Sequence, residues 1–243
     1  MSRYIKFFKD ALLAFPITLI FQPFVRFFTF LFYFNKMIKW IYANKKNVAF
    51  HDFYSPKRNY DKRINLYNYV LENQALANQE IHYFEFGVAS GVSFKWWLAN
   101  NKNANSSFHG FDTFEGLPES WGHFDKGDMA STMPTIDDPR GHFYKGLFQA
   151  SVVPFIETNF TFLKQKNKKI IHLDADLYSS TVFALAQLYP FLNVGDLILF
   201  DEFTVPMHEF KAYDEFISTH YVEMKPIASV NNFFQTAFVL TKI

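Results

Sequence analysis

The chain has 243 residues and not one cysteine. That excludes a disulfide framework, a thiolate nucleophile and a thiolate metal site, and it suits a reducing, cytoplasmic setting. Net charge is also scarce, at +1. There is no excess of either sign with which to grip a nucleic acid, so none is expected as a partner. Glycine is sparse at nine residues, so two of them close together behind an apolar run stand out. What is abundant is phenylalanine, with 33 residues in a chain that is 49% apolar. This is enough to build a sizeable core for one α/β domain with an extension. Asn and Lys are frequent too, so the phenylalanine content fits a biased base composition and carries no functional reading.

The chain is organised around Ile81–Gly91. The apolar run Ile81 to Phe86 predicts a buried strand. It breaks at Gly87, Gly91 follows four positions later, and Val92 to Leu98 opens a helix. Strand, glycine turn and helix form the first unit of a parallel α/β sheet, and the helix N-terminus offers free N–H groups. Asp112 ends the next apolar strand, Ser107 to Phe111, where a ribose-binding carboxylate is expected. A dinucleotide site wants G-x-G-x-x-G around a pyrophosphate. Here the spacing is Gly-x-x-x-Gly behind Glu85, and an acid at the strand end disfavours a phosphate. A cationic or amine-bearing ligand such as S-adenosylmethionine suits it better, and an NAD-linked oxidoreductase is the runner-up.

Charge is unevenly placed. Residues 1–46 carry eight Lys or Arg against the single acid Asp10, whereas the rest carry 16 basic and 22 acidic residues. Residues 11–34 are almost wholly apolar and long enough to span a bilayer, but Pro16, Gln22, Pro23 and Arg26 interrupt them. Phe32-Tyr33-Phe34 is the wrong chemistry for a signal-peptide cleavage site. Three readings stay open: a helical extension packed on the domain or on a second subunit of a homo-oligomer, helices in peripheral contact with an anionic membrane, and a spanning helix. The chain divides into this extension, 1–61, and a domain, 62–243.

Further elements follow in order. Residues 47–61 read as a polar loop and Arg63–Asn73 as a helix. The stretch from Thr113 to Gly141 reads as a long lid. A short strand is expected at His142–Lys145 and a helix at about Ala150–Thr158. Lys164–Lys169 reads as a solvated charge run and Ile170–Asp174 as a strand. A helix is expected at Val182–Leu192, a strand at Leu197–Phe200 and a helix at Glu209–Thr219. Residues 221–227 and 233–240 form a terminal antiparallel pair.

Apolar strands end in Glu85, Asp112, Asp174 and Asp201-Glu202. Strand C-termini are where open α/β sheets bind ligands. Carboxylates crowded there without basic partners favour a cation, and oxygen-only donors point to Mg²⁺. Each acid taken alone could equally cap a helix or pair with a base.

These stretches resemble a family. Phe84-Glu85-Phe86-Gly87-Val88-Ala89-Ser90-Gly91, Phe111-Asp112-Thr113-Phe114-Glu115-Gly116-Leu117-Pro118, Gly146-Leu147-Phe148, His172-Leu173-Asp174-Ala175-Asp176-Leu177-Tyr178-Ser179-Ser180-Thr181 and Phe200-Asp201-Glu202-Phe203 look like the macrocin O-methyltransferase (TylF/MycF-like) family over residues 62–243. The resemblance implies a Rossmann-like class I methyltransferase with a seven-stranded, mostly parallel sheet in the order 3-2-1-4-5-7-6. It implies S-adenosylmethionine as cofactor, bound through Glu85, Gly87, Ser90, Gly91, Asp112 and Thr113. It implies Mg²⁺ held by Asp174, Asp201 and Glu202, where the family often has Asp-Asp at the last pair. It also implies O-methylation of a small, sugar-containing acceptor. Asp174 and His208 are the candidate proton acceptors; a lone His at position 208 could equally be a surface residue, and His172 within a strand reads as core. A non-catalytic, membrane-recruited binding protein on the same fold is the alternative of a different class.

Overall fold

The computed structural model describes residues 2–243. Seven strands form one sheet: β1 (Ile81–Phe86), β2 (Ser107–Asp112), β3 (Gly141–Lys145), β4 (Lys168–Leu173), β5 (Leu197–Phe200), β6 (Glu223–Val230) and β7 (Gln235–Lys242). Their order is β3-β2-β1-β4-β5-β7-β6, as expected. The five strands from β3 to β5 are parallel, and β7 runs antiparallel between β5 and β6. A parallel sheet is buried on both faces, which is why β5 is an unbroken apolar run and why even His82 and Glu85 of β1 and Lys169 and His172 of β4 are buried.

The alternation of side chains along β1 sorts the two layers. Ile81 and Tyr83 pack with Leu66, Tyr67 and Val70 of α3 (Lys62–Asn73) and with Phe94 and Trp97 of α4 (Val92–Asn100). Phe84 and Phe86 face the opposite layer. That layer is built by α5 (Phe148–Thr158), α7 (Tyr178–Leu188), α8 (Glu209–His220) and the second half of α2 (Val25–Asn44). A short α6 (Phe160–Leu163) leads into β4.

Several expectations are corrected. Lys169 is not solvated: it lies in β4, 2% exposed, its ammonium donating to the carbonyls of Gln165 and Asn167. Helices α5 and α7 start two and four residues earlier than expected, because Phe148 and Tyr178 already carry helical backbone. The segment before α3 is tied to the sheet. Phe50 bridges Ala228, and Ser55 and Asn59 bond to Asn232 and Asn231 at the β6–β7 turn. The terminal pair falls about two residues later than expected, since Asn231, Asn232 and Phe233 all take positive φ in that turn.

The N-terminal segment consists of α1 (Arg3–Ala14), a 3₁₀ turn at Ile17–Phe24, and α2. Tyr33, Met37 and Ile41 of α2 are buried against the domain, whereas α1 and the 3₁₀ turn bury nothing. By length and composition Ile17–Asn44 is the one membrane-span candidate among the described residues.

Candidate active site

The parallel ladder continues one residue beyond each strand and aligns the site. Gly87 N–H donates to Phe111 O, Asp174 N–H to Phe86 O and Asp201 N–H to Leu173 O, each at 2.9 Å. Gly87, Asp112, Asp174 and Asp201 therefore sit side by side on one edge of the sheet, where the strand ends and the helix starts leave a crevice. A cavity of about 650 Å³ opens there. Gly87, Asp112, Thr113, Asp174, Asp201 and Glu202 line it.

The structure places the remaining expected site residues elsewhere. Glu85 is 1% exposed and is not among the lining residues; its Oε2 accepts from Tyr83 Oη at 2.7 Å. The period-2 alternation turns it into the α3/α4 layer, beneath the cavity. Ser90 and Gly91 are also outside the lining, and Pro134 of the long loop packs over Gly91. His208 is absent from the cavity wall. Its Nδ1 accepts from Tyr178 N–H at 3.3 Å, and its ring faces a separate groove. His172 is a core residue, bonded to Tyr83 Oη at 2.7 Å.

Asp112 holds the glycine turn. Its Oδ2 accepts from Val88 N–H at 2.7 Å and Ala89 N–H at 2.8 Å, and its Oδ1 accepts from Phe114 N–H at 2.6 Å. An ionised carboxylate has about four acceptor sites, so room for one further donor from the cavity remains. The long loop is ordered by its own bonds. Leu117 N–H donates to Asp128 O and Gly127 N–H to Leu117 O, each at 2.9 Å, and Trp121 pairs with Phe124. Gly116, Leu117, Pro118 and Glu119 of this loop roof the cavity, and Ser179 Oγ donates to Glu119 Oε1 at 2.9 Å, joining roof to α7.

The floor is acidic and largely buried. Burial, then Asp201, Asp176, Glu85 and Glu202, push the Asp174 carboxyl well above the usual carboxylate range. Glu202 is pushed up to about 9 by burial and by Asp176 beside it, and Asp176 rises to about 6, mainly by burial. Glu209, 0% exposed behind them, accepts Glu202 N–H at 2.9 Å and is also raised, chiefly by burial.

The sequence suggested that these acids had no basic partner, and that is corrected. Arg63 of α3 lines the cavity, and its charge opposes the burial that raises Asp201 and Glu85. Arg58 acts likewise on Glu202. Tyr60 and Arg63 were missed because they sit just before and within the first turn of α3, which only tertiary packing brings to the cavity wall.

Among the described residues no group of three or more His, Asp or Glu side chains is arranged as a metal-holding cluster. The donor chemistry nevertheless fits a hard cation. Every candidate ligand is a carboxylate oxygen, the acids raise one another's pKa, and Asp201 Oδ1 is buried without a hydrogen-bond partner.

The comparisons with known proteins decide the family. The model of the macrocin O-methyltransferase (TylF) family matches residues 61–236. The chain belongs to the macrocin O-methyltransferase family. As a member of the TylF family it is an S-adenosylmethionine-dependent O-methyltransferase. Among solved structures, the calicheamicin methyltransferase CalS11 shares 18% identity at a TM-score of 0.58, covering 75% of this chain and 80% of CalS11. The O-methyltransferase NovP shares 16% at a TM-score of 0.53, covering 75% of this chain and 79% of NovP. These two likenesses show the fold. No curated protein sequence matches the chain.

Proposed function

We propose that this methyltransferase acts on a hydroxyl of a small, sugar-containing acceptor, with residues 62–243 as the catalytic unit. The observation that carries the reading is the cavity in which the glycine turn and Asp112 meet the acidic floor of Asp174, Asp176, Asp201 and Glu202. One half suits the cofactor and the other suits a polyhydroxylated acceptor. CalS11, a calicheamicin methyltransferase, and NovP, an O-methyltransferase, share the fold.

Gly87, Asp112 and Thr113 receive the cofactor, with the free acceptor site of Asp112 turned to a ribose hydroxyl. The roof from Gly116 to Glu119 excludes water. In the transfer step the acceptor oxygen attacks the sulfonium methyl carbon, the C–S bond breaks as the C–O bond forms, and the hydroxyl proton must leave. Asp174 is the carboxylate that takes it. Burial and the neighbouring acids raise its pKa in the metal-free protein, and a bound cation would oppose that shift. Asp174, Asp201 and Glu202 would hold Mg²⁺, which when bound supplies a positive charge that acidifies and orients a hydroxyl. His208 has no role in proton transfer in this arrangement.

Residues 1–46 support peripheral membrane contact of a cytoplasmic enzyme. Their basic side chains and exposed phenylalanines match an anionic lipid surface.

The test is methyl transfer from labelled S-adenosylmethionine to nucleotide-sugar and glycoside acceptors, followed by mass spectrometry of the products. EDTA should abolish transfer and Mg²⁺ restore it, while cofactor binding persists. Asp201→Asn should lower turnover more than cofactor affinity. Full activity in EDTA would reject the metal and leave Asp174 to act alone, and methylation on nitrogen or carbon would reject the acceptor class.

A further inference from the structure

Helix α2 changes its surroundings half-way along. From Tyr33 onward it is held to α8: Tyr33 Oη donates to Glu215 Oε1 at 2.6 Å, Lys36 Nζ to Asp214 Oδ2 at 2.6 Å, and Trp40 Nε1 to Tyr213 Oη at 3.1 Å. Before Tyr33 its apolar side chains are open, with Phe27 and Phe28 each 57% exposed. At this junction a second cavity of about 450 Å³ separates α2 from the long loop and from the segment after β5. Its walls are apolar, made by Phe27, Phe30, Trp121, Pro206 and Met207, with Arg26 and His208 as the cationic and polar exceptions. Arg26 has no ion-pair partner among the described residues.

The groove adjoins the active site. Glu119 lines the catalytic cavity and Trp121, two residues on, lines the groove. On α7, Tyr178 N–H donates to His208 in the groove, while the next residue, Ser179, lines the cavity. Residues 119–121 of the loop and the start of α7 thus border both an apolar trough and a polar, acidic chamber.

We propose that this groove holds the hydrocarbon chain of an amphiphilic acceptor, with Arg26 meeting an anionic group at the junction of chain and sugar, and the sugar reaching the neighbouring cavity. The proposal rests on the sugar O-methyltransferase reading above and specifies the acceptor as one borne on a lipid.

Two further observations select this occupant. The first is continuity. The groove opens into the exposed apolar surface of the 3₁₀ turn and α2, where Ile17, Leu19, Ile20, Phe21 and Phe24 are all more than half exposed. Helix α1 extends it as an amphipathic helix, with Tyr4, Phe8 and Leu12 along one side and Arg3, Lys6 and Lys9 along the other. The second is charge. Eight bases against one acid in residues 1–46 complement an anionic surface. Pro16, Gln22, Pro23 and Arg26 interrupt the open apolar stretch, and a charge inside a spanning segment is costly. An arm so interrupted and so basic suits the plane of the bilayer, where a lipid-borne acceptor would lie.

The test titrates the full chain with dodecyl phosphate below its micellar concentration, dodecyl maltoside and inorganic phosphate, by calorimetry and tryptophan fluorescence. Dodecyl phosphate should bind at one site more tightly than dodecyl maltoside, and inorganic phosphate should not bind measurably. Phe30→Asp should weaken dodecyl phosphate by about tenfold or more. Arg26→Gln should bring the two detergents level, and Trp121→Phe should remove the fluorescence change. S-Adenosylmethionine should bind all three variants as it binds the wild type. Binding of inorganic phosphate alone, or detergent binding indifferent to Phe30→Asp, would overturn the proposal. A sedimenting dimer that excludes the detergents would overturn it in favour of a second copy of the chain. Detergent binding without S-adenosylmethionine binding would leave a lipid site but end its role in acceptor recognition, so the two readings fail separately.

Discussion

Gly87 lies against the backbone carbonyl of Asp174: a β-carbon at position 87 would stand 1.7 Å from that oxygen. With φ at +90°, the residue is also in a region that L side chains rarely adopt. The glycine at the head of the cofactor turn is therefore demanded by the packing of two strand ends as much as by the ligand. Gly87→Ala should cost about 4 kcal/mol or more, since both strain and overlap must be relieved. Chemical denaturation checks this, and a loss below about 1 kcal/mol would show that the turn can move aside.

Asp112 has a double duty that its place in the sequence does not disclose. Removing its carboxylate frees three backbone N–H groups, and in the proposed binding mode it also removes the acceptor site offered to the ribose. Asp112→Ala should weaken S-adenosylmethionine binding by about 1.5–3 kcal/mol, the range for hydrogen bonds to a charged group, and should lower Tm in the absence of cofactor. Calorimetry and thermal melts read the two effects separately. Weakened binding with an unchanged Tm would place the turn's support elsewhere.

Glu85 should tie stability to pH. Burial pushes its carboxyl up to about 8, with the Tyr83 hydrogen bond and Arg63 opposing. The folded pKa exceeds the unfolded one, so the fold favours the protonated form. Its contribution is complete below about pH 4.5 and is lost as pH climbs through 8. Melting curves of the wild type from pH 5 to 9 should therefore fall more steeply than those of Glu85→Gln. Parallel curves would show that Glu85 is ionised throughout.

The division within α2 predicts unequal truncations. Removing residues 2–24 deletes no fully buried side chain and should leave Tm within a few degrees. Removing residues 2–46 also takes away buried Met37 and Ile41 and the Trp40 contacts with Phe203 and Tyr213. It should cost several kcal/mol, at about 1.5–3 kcal/mol per buried apolar side chain. The full chain should sediment with anionic liposomes, salt should release part of it, and both truncations should lose the sedimentation. Retained sedimentation without residues 2–24 would move the membrane contact to another surface.

The sheet was legible because each central strand is a short apolar run closed by an acid, and the register puts those acids on one edge. Asp112, Asp174, Asp201 and Glu202 line the cavity for that reason. Glu85 lies one residue before the end of β1, and the period-2 alternation turns its side chain beneath the sheet edge. Arg63 and Tyr60 left no local signal: they reach the cavity wall only because the start of α3 packs there, and no spacing in the chain records that. Lys169 looked solvated beside Lys164 and Lys166, yet its aliphatic stem lies in β4 and its ammonium finds two carbonyls.

The central claim is that the crevice between the glycine turn and the acidic floor binds S-adenosylmethionine for methyl transfer. Calorimetric titration of the full chain with S-adenosylmethionine, alongside NAD, tests it most directly. The account predicts one S-adenosylmethionine per chain, weakened by Asp112→Ala, and no heat from NAD. No binding of S-adenosylmethionine, or equal binding of NAD, would contradict it.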